Sequence, residues 1–298
     1  MTEGIILLDK PAGQTSFQSL GFLKKSLGTS RVGHAGTLDK FAEGLLIVLA
    51  GRMTRLCPLA TSLDKEYVAV FTFGRGTDTL DPEGAVTSEG RVPSTPALEA
   101  VLPEFRGTLS QVPPAYSAIH VQGRRASEAA RKGEAVVLQP RTVRIDRLEL
   151  LDYKPPEARL RICCTKGTYI RSLARDIAVR LGTCAYVSQL RRTRIGGFSV
   201  DDALSPDAFD AGRDVLPPEF FFKAVPDLGM LIVKRQSEVP VSRGIRLDPT
   251  LFEDPAGGEG IYGAFSHDQR LLAVIEKSES GMSYLAAFPV PGEAGAVR

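Results

Sequence analysis

The sequence predicts an α/β (α+β) fold: a mixed, largely antiparallel sheet with helices, followed by a small C-terminal β-barrel. Strand-like and helix-like segments alternate, but without the regular strand–helix–strand repeat of a doubly wound parallel sheet. A stretch rich in proline and phenylalanine, residues 205–226, interrupts this pattern. Only short strands separated by Gly, Asp and Pro follow it, as is typical of a small barrel. We therefore predict one domain over residues 1–222 and a second over residues 223–298.

The first elements form a strand, a turn and a helix. Residues 4–9 are mostly aliphatic and predict a strand, and the Lys-Pro-Ala-Gly sequence at residues 10–13 predicts a turn. Thr15 or Ser16 can cap the helix that follows, and Gly28 is suited to end it. The chain therefore begins with a compact strand–turn–helix unit.

A glycine-rich loop comes next, with the sequence Arg-Val-Gly-His-Ala-Gly-Thr-Leu-Asp at residues 31–39. Gly33 and Gly36 allow backbone conformations that other residues rarely adopt, and the aliphatic run at residues 44–50 predicts a strand after the loop. Catalytic side chains are often carried on loops that a rigid sheet holds in place. Asp39 is therefore a candidate catalytic carboxylate, with a solvated carboxylate in an ordinary turn as the alternative.

Local patterns predict the remaining elements. Strands are predicted at residues 67–73, 135–152, 158–165 and 184–195, and in the second domain at 230–234, 260–266, 271–277 and 283–289. Helices are predicted at residues 53–59, 96–105, 123–133 and 168–181. The last of these helices has one apolar stripe, formed by Ile170, Leu173, Ile177 and Leu181. Arg171 and Arg175 fall outside that stripe, so we predict that they lie on another face of the helix.

Composition excludes several classes of protein. The 298 residues are 43% hydrophobic and 24% charged, which is ordinary for a globular protein. No apolar run approaches the ~18 to 20 residues of a membrane-spanning helix, and the N-terminus lacks a signal-like segment. We therefore expect a cytoplasmic protein with no membrane partner. Because no two of the four cysteines form a Cys-x-x-Cys pair and the three histidines are scattered, we expect neither a metal site nor a disulfide scaffold.

The distribution of charge is more informative than the net charge of +2. Basic residues cluster in three segments: Arg124, Arg125, Arg131 and Lys132; Lys166, Arg171 and Arg175; and Arg191, Arg192 and Arg194. Together these clusters can line one groove for a polyanion. Three separate solvated faces are the alternative.

Several motifs occur in a fixed order along nearly the whole chain. They are Leu-Asp-Lys-Pro-Ala-Gly at 8–13, Thr-Ser at 15–16, Val-Gly-His-Ala-Gly-Thr-Leu-Asp at 32–39, Lys-Glu-Tyr at 65–67, the segment 74–84, Gln-Val-Pro-Pro-Ala-Tyr-Ser-Ala at 111–118, Lys-Gly-Thr-Tyr-Ile-Arg-Ser at 166–172 and Gln-Leu-Arg-Arg at 189–192. In this order and spacing the chain resembles the bacterial tRNA pseudouridine synthase B family. The resemblance implies the pseudouridine synthase fold with a C-terminal RNA-binding domain of the PUA type.

The resemblance also implies an isomerase that converts the uridine at position 55, in the T-loop of tRNA, to pseudouridine without a cofactor. This reaction breaks the N1–C1′ bond, turns the base and joins C5 to C1′, so it needs no redox group or donor. By resemblance Asp39 is the catalytic carboxylate, acting as nucleophile toward ribose or base, or as the base that removes a ribose proton. Arg171 is then the partner that keeps Asp39 ionised through a bidentate pair.

A base flipped out of the RNA needs a pocket, and the resemblance assigns four residues to it. Tyr67 stacks on the target base and assists removal of the C5 proton, Tyr169 and Leu190 line the uracil pocket, and His34 packs beside the flipped nucleotide. Core packing is the alternative for each of these side chains. Stacking inside the pocket offsets the free energy of unstacking the base.

A basic insertion at residues 112–134 falls where the family carries a segment that closes over the RNA loop. Four of its side chains are suited to phosphate contacts, which raise affinity without reading sequence: Arg124, Arg125, Arg131 and Lys132. The chain departs from the family pattern at His120, Ser127, Lys40 and Met53.

The partner implied by the resemblance is the T-arm of tRNA, bound by a monomer with no obligatory protein partner. A guide-RNA-dependent synthase, which works with protein partners, is one alternative. A non-catalytic tRNA-binding protein is another, in which the basic insertion matters and Asp39 does not. A nucleoside hydrolase is disfavoured because the basic clusters imply a polyanion much larger than a nucleoside.

Overall fold

The computed structural model describes residues 3–117, 119–121, 124–132, 137–255 and 257–290. Its strands are β1 (Gly4–Lys10), β2 (Val32–Ala35), β3 (Glu43–Ala50), β4 (Lys65–Phe73), β5 (Arg75–Thr77), β6 (Val86–Glu89), β7 (Gly107–Gln111), β8 (His120–Val121), β9 (Arg124–Arg125), β10 (Arg141–Lys154), β11 (Glu157–Cys164), β12 (Ala185–Ile195), β13 (Phe198–Ser199), β14 (Leu228–Ile232), β15 (Gly260–Phe265), β16 (Leu271–Ser278) and β17 (Gly281–Ala287). Its α-helices are α1 (Gly21–Ser26), α2 (Cys57–Ser62), α3 (Thr95–Val101), α4 (Ala126–Arg131), α5 (Ile170–Arg180), α6 (Pro218–Ala224) and α7 (Glu238–Ser242). Short 3₁₀ helices lie at Gln18–Leu20, Gly51–Leu56, Leu102–Phe105, Val200–Asp202, Pro206–Ala208, Arg235–Ser237 and Pro249–Leu251.

The central sheet has nine strands, and seven of them follow the order β1-β3-β12-β4-β11-β10-β7. The other two extend it at the side, β2 on β3 and β13 on β12. Only β3 and β12 pair in parallel, through Arg191 with Glu43 and Arg192 with Gly44, whereas the other pairs described in this sheet are antiparallel. The predicted mixed, largely antiparallel sheet is confirmed.

Helix α5 covers the face of the sheet formed by β4 and β12. Ile170, Leu173 and Ile177 are buried in one core with Ala69 of β4 and Val187 of β12. The predicted apolar stripe is therefore confirmed. Arg171 is not part of this stripe, as predicted, and the side on which it lies is not solvated, because only 4% of Arg171 is exposed. From the first turn of α5 its guanidinium reaches the carboxylates of Asp39 and Asp81 instead of solvent.

The helix predicted to follow residue 15 begins as a 3₁₀ turn and continues as α1. The Gln18 amide donates to Thr15 Oγ1 at 3.1 Å, and the Thr15 amide donates to Gln18 Oε1 at 2.9 Å. This reciprocal pair satisfies two backbone donors that a helix start leaves free. Thr15 is therefore the cap, while Ser16 supports the neighbouring loop.

The C-terminal strands form a separate four-stranded sheet in the order β14-β15-β16-β17. The sequence predicts a barrel here, but in the described residues the two edge strands, β14 and β17, do not pair. Because β14 is parallel to β15, the chain must cross over between them, and α7 lies in that crossover. Val241 of α7 packs in one core with Leu231 and Leu272 of the sheet, so a helix covers the face that barrel closure would bury.

The aromatic run at the predicted boundary forms α6 and joins the two sheets. Phe221 lies 5.7 Å from Phe198 between ring centroids, and Phe222 lies 5.4 Å from Phe265 of β15. These rings belong to one buried cluster that also contains Ile5 of β1. Across the described ranges, no helix is long and apolar enough to cross a lipid bilayer.

Candidate active site

A cavity of about 300 Å³ lies between the glycine-rich loop, the β4–β12 face and the start of α5. Five of the residues predicted for the site line it: Asp39, Tyr67, Tyr169, Arg171 and Leu190. These residues are far apart in the sequence, and the sheet brings them together. The cavity is therefore the candidate active site.

Asp39 and Arg171 form a bidentate ion pair in this cavity. Arg171 Nε lies 2.9 Å from Asp39 Oδ2, and Arg171 Nη2 donates to Asp39 Oδ1 at 3.1 Å. A planar guanidinium in this arrangement holds the carboxylate in one orientation and favours its ionised form.

The remaining donors of Arg171 are used to hold it in place. Its Nη1 donates to the Thr79 carbonyl at 2.8 Å and to Asp81 Oδ2 at 3.1 Å, and its Nη2 donates to the Tyr116 carbonyl at 2.9 Å. Asp81 is itself buried and accepts from the Glu83 amide at 3.0 Å. Arg171 therefore links the partly exposed carboxylate of Asp39 to the buried carboxylate of Asp81 and has little freedom to move.

The loop that carries Asp39 is held at several points. Ser16 Oγ donates to the Leu38 carbonyl at 3.0 Å, and the Leu38 amide donates back to Ser16 Oγ at 2.8 Å. The Gly13 amide donates to the Lys40 carbonyl at 2.8 Å. Gly36 has a φ of +80°, a conformation that favours glycine. The predicted turn at residues 10–13 and Ser16 after it therefore support the loop that carries Asp39.

Aromatic and aliphatic side chains form the rest of the cavity wall. Tyr67 of β4 is buried and Leu190 of β12 is 7% exposed. Tyr169 precedes α5, where Gln111 binds its backbone on both sides: the Tyr169 amide donates to Gln111 Oε1 at 2.8 Å, and Gln111 Nε2 donates to the Tyr169 carbonyl at 3.2 Å. This wall can accept a planar ring.

Burial shifts the pKa of several groups here. Burial raises the pKa of Asp39 above its usual range, and the Arg171 guanidinium limits the rise. Burial also raises the pKa of the Tyr67 and Tyr169 hydroxyls. Conversely, burial and the Arg192 charge lower the pKa of Lys65 to about 8.

His34 and the basic insertion lie apart from the cavity wall. His34 is on β2 and is not among the residues that line the cavity. Its Nδ1 is buried and has no hydrogen-bond partner among the described residues, and burial lowers its pKa. Arg131 and Lys132 are exposed at the end of α4. The side chains of Arg124 and Arg125 lie outside the described part of the chain, so their predicted contacts stay predictions.

The four departures from the family pattern have modest structural roles where they are described. Lys40 forms an exposed ion pair with Glu83 at 2.8 Å, and Met53 is buried in the core. The Ser127 amide donates to the Ser117 carbonyl at 3.1 Å. The side chain of His120 lies outside the described residues.

The structure places three further residues at the site: the sequence gave no role to Asp81 or Lys65, and it placed Arg192 only in a basic cluster. Asp81 binds Arg171, while Lys65 and Arg192 line the cavity. All three lie in the motifs on which the family resemblance rests, so the sequence marked these segments but did not show what each side chain does. Within the described residues, no group of three or more His, Cys, Asp or Glu side chains is placed to hold a metal ion.

Comparisons with known proteins identify the family of the chain. Residues 24–170 match the family model described as TruB family pseudouridylate synthase (N terminal domain), and residues 171–211 match tRNA pseudouridylate synthase B C-terminal domain. The chain is 46% identical over 206 residues to tRNA pseudouridine synthase B of Borreliella burgdorferi, covering 68% of this chain and 73% of that protein. It is 43% identical over 220 residues to tRNA pseudouridine synthase B of Chlamydia muridarum, covering 72% of this chain and 90% of that protein.

Solved structures share the fold over nearly the full length. A chain in the crystal structure of a Cbf5-Nop10-Gar1 complex aligns with a TM-score of 0.70 at 26% identity, covering 96% of this chain and 84% of that one. A chain of an H/ACA RNP bound to a substrate RNA containing 2′-deoxyuridine aligns with a TM-score of 0.71 at 23% identity, covering 97% and 86%. At this identity the second likeness concerns the fold alone.

Proposed function

Because the chain belongs to the TruB family of pseudouridylate synthases, we propose that the cavity around Asp39 is where it isomerises a uridine of tRNA. The enzyme is an isomerase that converts uridine in tRNA to pseudouridine. The observation that carries the assignment of the site is the bidentate Asp39–Arg171 pair inside a cavity walled by Tyr67, Tyr169 and Leu190.

The overall reaction is balanced without any other reactant. The N1–C1′ bond breaks, the base turns, C5 joins C1′, C5 loses its proton and N1 gains one. Asp39 acts on the ribose or on the base, as nucleophile or as proton acceptor, and each role needs the ionised carboxylate. Arg171 favours the ionised carboxylate and holds its two oxygens in one orientation.

The walls of the cavity suit a uracil ring that has left the RNA stack. Tyr67 and Tyr169 offer aromatic surfaces and Leu190 an aliphatic one, which together offset the unstacking free energy of a few kcal/mol. His34, on the strand before the loop that carries Asp39, keeps the role that the family resemblance implies, packing beside the flipped nucleotide.

The finer features of RNA binding follow from the basic insertion and the C-terminal sheet. Residues 112–134 close over the T-arm, and residues 223–298 form the second RNA-binding unit, with the boundary after residue 222. The substrate uridine is at position 55 in the T-loop. The enzyme acts as a monomer without an obligatory protein partner. Exposed cations at Arg131 and Lys132 support this arrangement.

Tritium release tests the assignment. Purified protein incubated with unmodified tRNA containing [5-³H]uridine is expected to release tritium, because C5 loses its proton when it bonds to C1′. No release from tRNA under conditions where the protein is folded would contradict the function.

The pH dependence of the reaction follows from Asp39. Because the ionised carboxylate is the active form and burial raises its pKa, the single-turnover rate should fall as pH drops through a value above the usual Asp range. Rates of pseudouridine formation at saturating enzyme, measured from acidic to neutral pH, check this. A rate that stays constant down to the ordinary pKa of a free aspartate would contradict it.

The exposed cations of the insertion set tRNA affinity. The double change Arg131→Ala and Lys132→Ala should weaken tRNA binding and flatten its salt dependence by about two counterions, while leaving the single-turnover rate at saturating enzyme unchanged. The matched control replaces Lys154 and Arg159, exposed on the β10–β11 hairpin, by alanine. Equal losses in both double variants would show that the insertion has no special role.

A further inference from the structure

We propose that Lys65 and Arg192 form a cationic wall that stabilises negative charge on uracil as its glycosidic bond breaks, Lys65 directly and Arg192 through Tyr67. The inference rests on the proposed function of the cavity. It concerns the wall across from the catalytic pair, where the departing base would lie.

The strand register places these side chains on one face of the sheet. Tyr67 of β4 is directly opposite Arg192 of β12, and Lys65 is two residues before Tyr67 on the same strand. Directly opposed residues and residues two apart share a face. All three line the cavity that contains Asp39. Gly36, in the loop that carries Asp39, lies against both Arg192 and Lys65. A Cβ atom at this position would be 3.5 Å from Arg192 Nη1 and 3.8 Å from Lys65 Cε.

Both cations are buried and are held by neutral groups. Arg192 is 1% exposed; its Nε donates to the Leu45 carbonyl at 2.7 Å and its Nη2 to the Gly36 carbonyl at 2.9 Å. Lys65 is 7% exposed, and its Nζ donates to the Thr61 carbonyl at 2.6 Å and to the Leu63 carbonyl. In the described part of the chain, neither forms a salt bridge, whereas Arg171 has Asp39 and Asp81.

Uncompensated buried charge is costly, so its presence in a cavity needs a physical explanation. Preorganised charge at an active site is most effective where opposite charge develops during the reaction. Two cations held by carbonyls, facing a cavity, therefore indicate that the ligand becomes anionic while it is bound.

The chemistry of uridine supplies that anion. When the N1–C1′ bond breaks, its electron pair stays on N1 and spreads to O2 and O4 of the uracil ring. If the carboxylate instead adds to C6 first, the displaced π electrons go to O4. Every route open to Asp39 thus places negative charge on the base. When C5 bonds to C1′, an electron pair of the anionic ring forms the new C–C bond.

Lys65 and Arg192 contribute differently. Lys65 is the group that would touch the base. Arg192 lies directly opposite Tyr67 across the β4–β12 pair, and its positive charge opposes the rise that burial causes in the pKa of the Tyr67 hydroxyl. Arg192 is therefore a positioning residue for Tyr67 and for the Gly36 backbone.

The protonation of Lys65 is sensitive to its surroundings. Burial is the main cause that lowers its pKa to about 8, and Arg192 on β12 and Lys166 after β11 add to this, while Cys164 and Asp64 oppose it. Because only the protonated amine stabilises an anion, its contribution is present below pH 8 and lost as pH rises through that value.

Single-turnover kinetics at saturating enzyme, with tRNA affinity measured separately, test the proposal. Lys65→Met should lower the rate of pseudouridine formation by about 10²-fold without weakening tRNA binding. Lys65→Arg should retain the rate and move the alkaline decline from near pH 8 to higher pH, because a guanidinium keeps its proton. The control is Lys154→Met, an exposed lysine at the end of β10 outside the cavity, which should leave both quantities unchanged.

Failure of the Lys65 proposal and failure of the proposed function give different results. A Lys65→Met enzyme that matches the wild-type rate, or that loses only tRNA affinity, overturns the proposal. If Lys65→Met does not fold, the pH profile of Lys65→Arg tests the proposal instead. An alkaline decline in rate that stays near pH 8 in Lys65→Arg overturns the proposal, because another group then causes it. Lys10 is such a group, since burial also lowers its pKa to about 8. A wild-type enzyme that makes no pseudouridine refutes the proposed function instead.

Discussion

Asp39→Asn is expected to abolish pseudouridine formation while leaving the fold intact. Asparagine is nearly the same size, and its Oδ1 can still accept from Arg171 Nη2, which now donates to Asp39 Oδ1 at 3.1 Å. It supplies neither a nucleophilic carboxylate oxygen nor a base. We expect the single-turnover rate to fall by on the order of 10⁴-fold or more, as when a catalytic side chain is removed.

Asp152→Asn is the matched control, because Asp152 is an exposed carboxylate of β10 that does not line the cavity. It should behave as wild type. tRNA affinity of both variants, measured by filter binding, should stay near that of the wild-type protein. An Asp39→Asn protein that still forms pseudouridine at the wild-type rate would exclude Asp39 as the catalytic group, and binding alone would then describe the protein better.

Arg171→Met is expected to be inactive and also strongly destabilised. Removing the guanidinium leaves Asp39 and Asp81 without the cation that both contact. Breaking a buried ion pair by removing one partner costs about 3–5 kcal/mol, because the remaining charge is left in a poorly solvated site. Urea denaturation of the two proteins measures the change in the free energy of unfolding.

Arg180→Met on the same helix provides the comparison. Arg180 pairs with Glu104 at 2.7 Å, but its side chain is 59% exposed, so its loss should change stability by less than about 1 kcal/mol. Similar unfolding free energies for the two variants would mean that Arg171 is not the buried link between two carboxylates. Full activity in Arg171→Met would contradict its role in orienting Asp39.

Much of the site could be predicted because its residues lie in local motifs. The turn containing Gly36 and ending at Asp39 is encoded by adjacent residues, and so are the strand that carries Tyr67 and the start of α5. The burial of Arg171 could not be read from helical periodicity. It depends on Asp39 and Asp81, which are distant in sequence and contact the first turn of α5 only in the folded chain.

Other features depend on register and on packing between distant segments. That Arg192 faces Tyr67 follows from the pairing of β4 with β12, which the separate strand patterns do not specify. Likewise, the short strands after residue 226 predict a β domain, but whether its edges close depends on where α7 packs. Periodicity gives the buried face of each strand and leaves the partner of an edge strand undetermined.

The most direct test of the account is base-resolved mapping of pseudouridine in unmodified tRNA incubated with the purified protein alone. The expected result is one new pseudouridine, in the T-loop, formed without added guide RNA or protein and absent from the Asp39→Asn reaction. Formation that requires a guide RNA, or no pseudouridine in tRNA at all, would contradict the account.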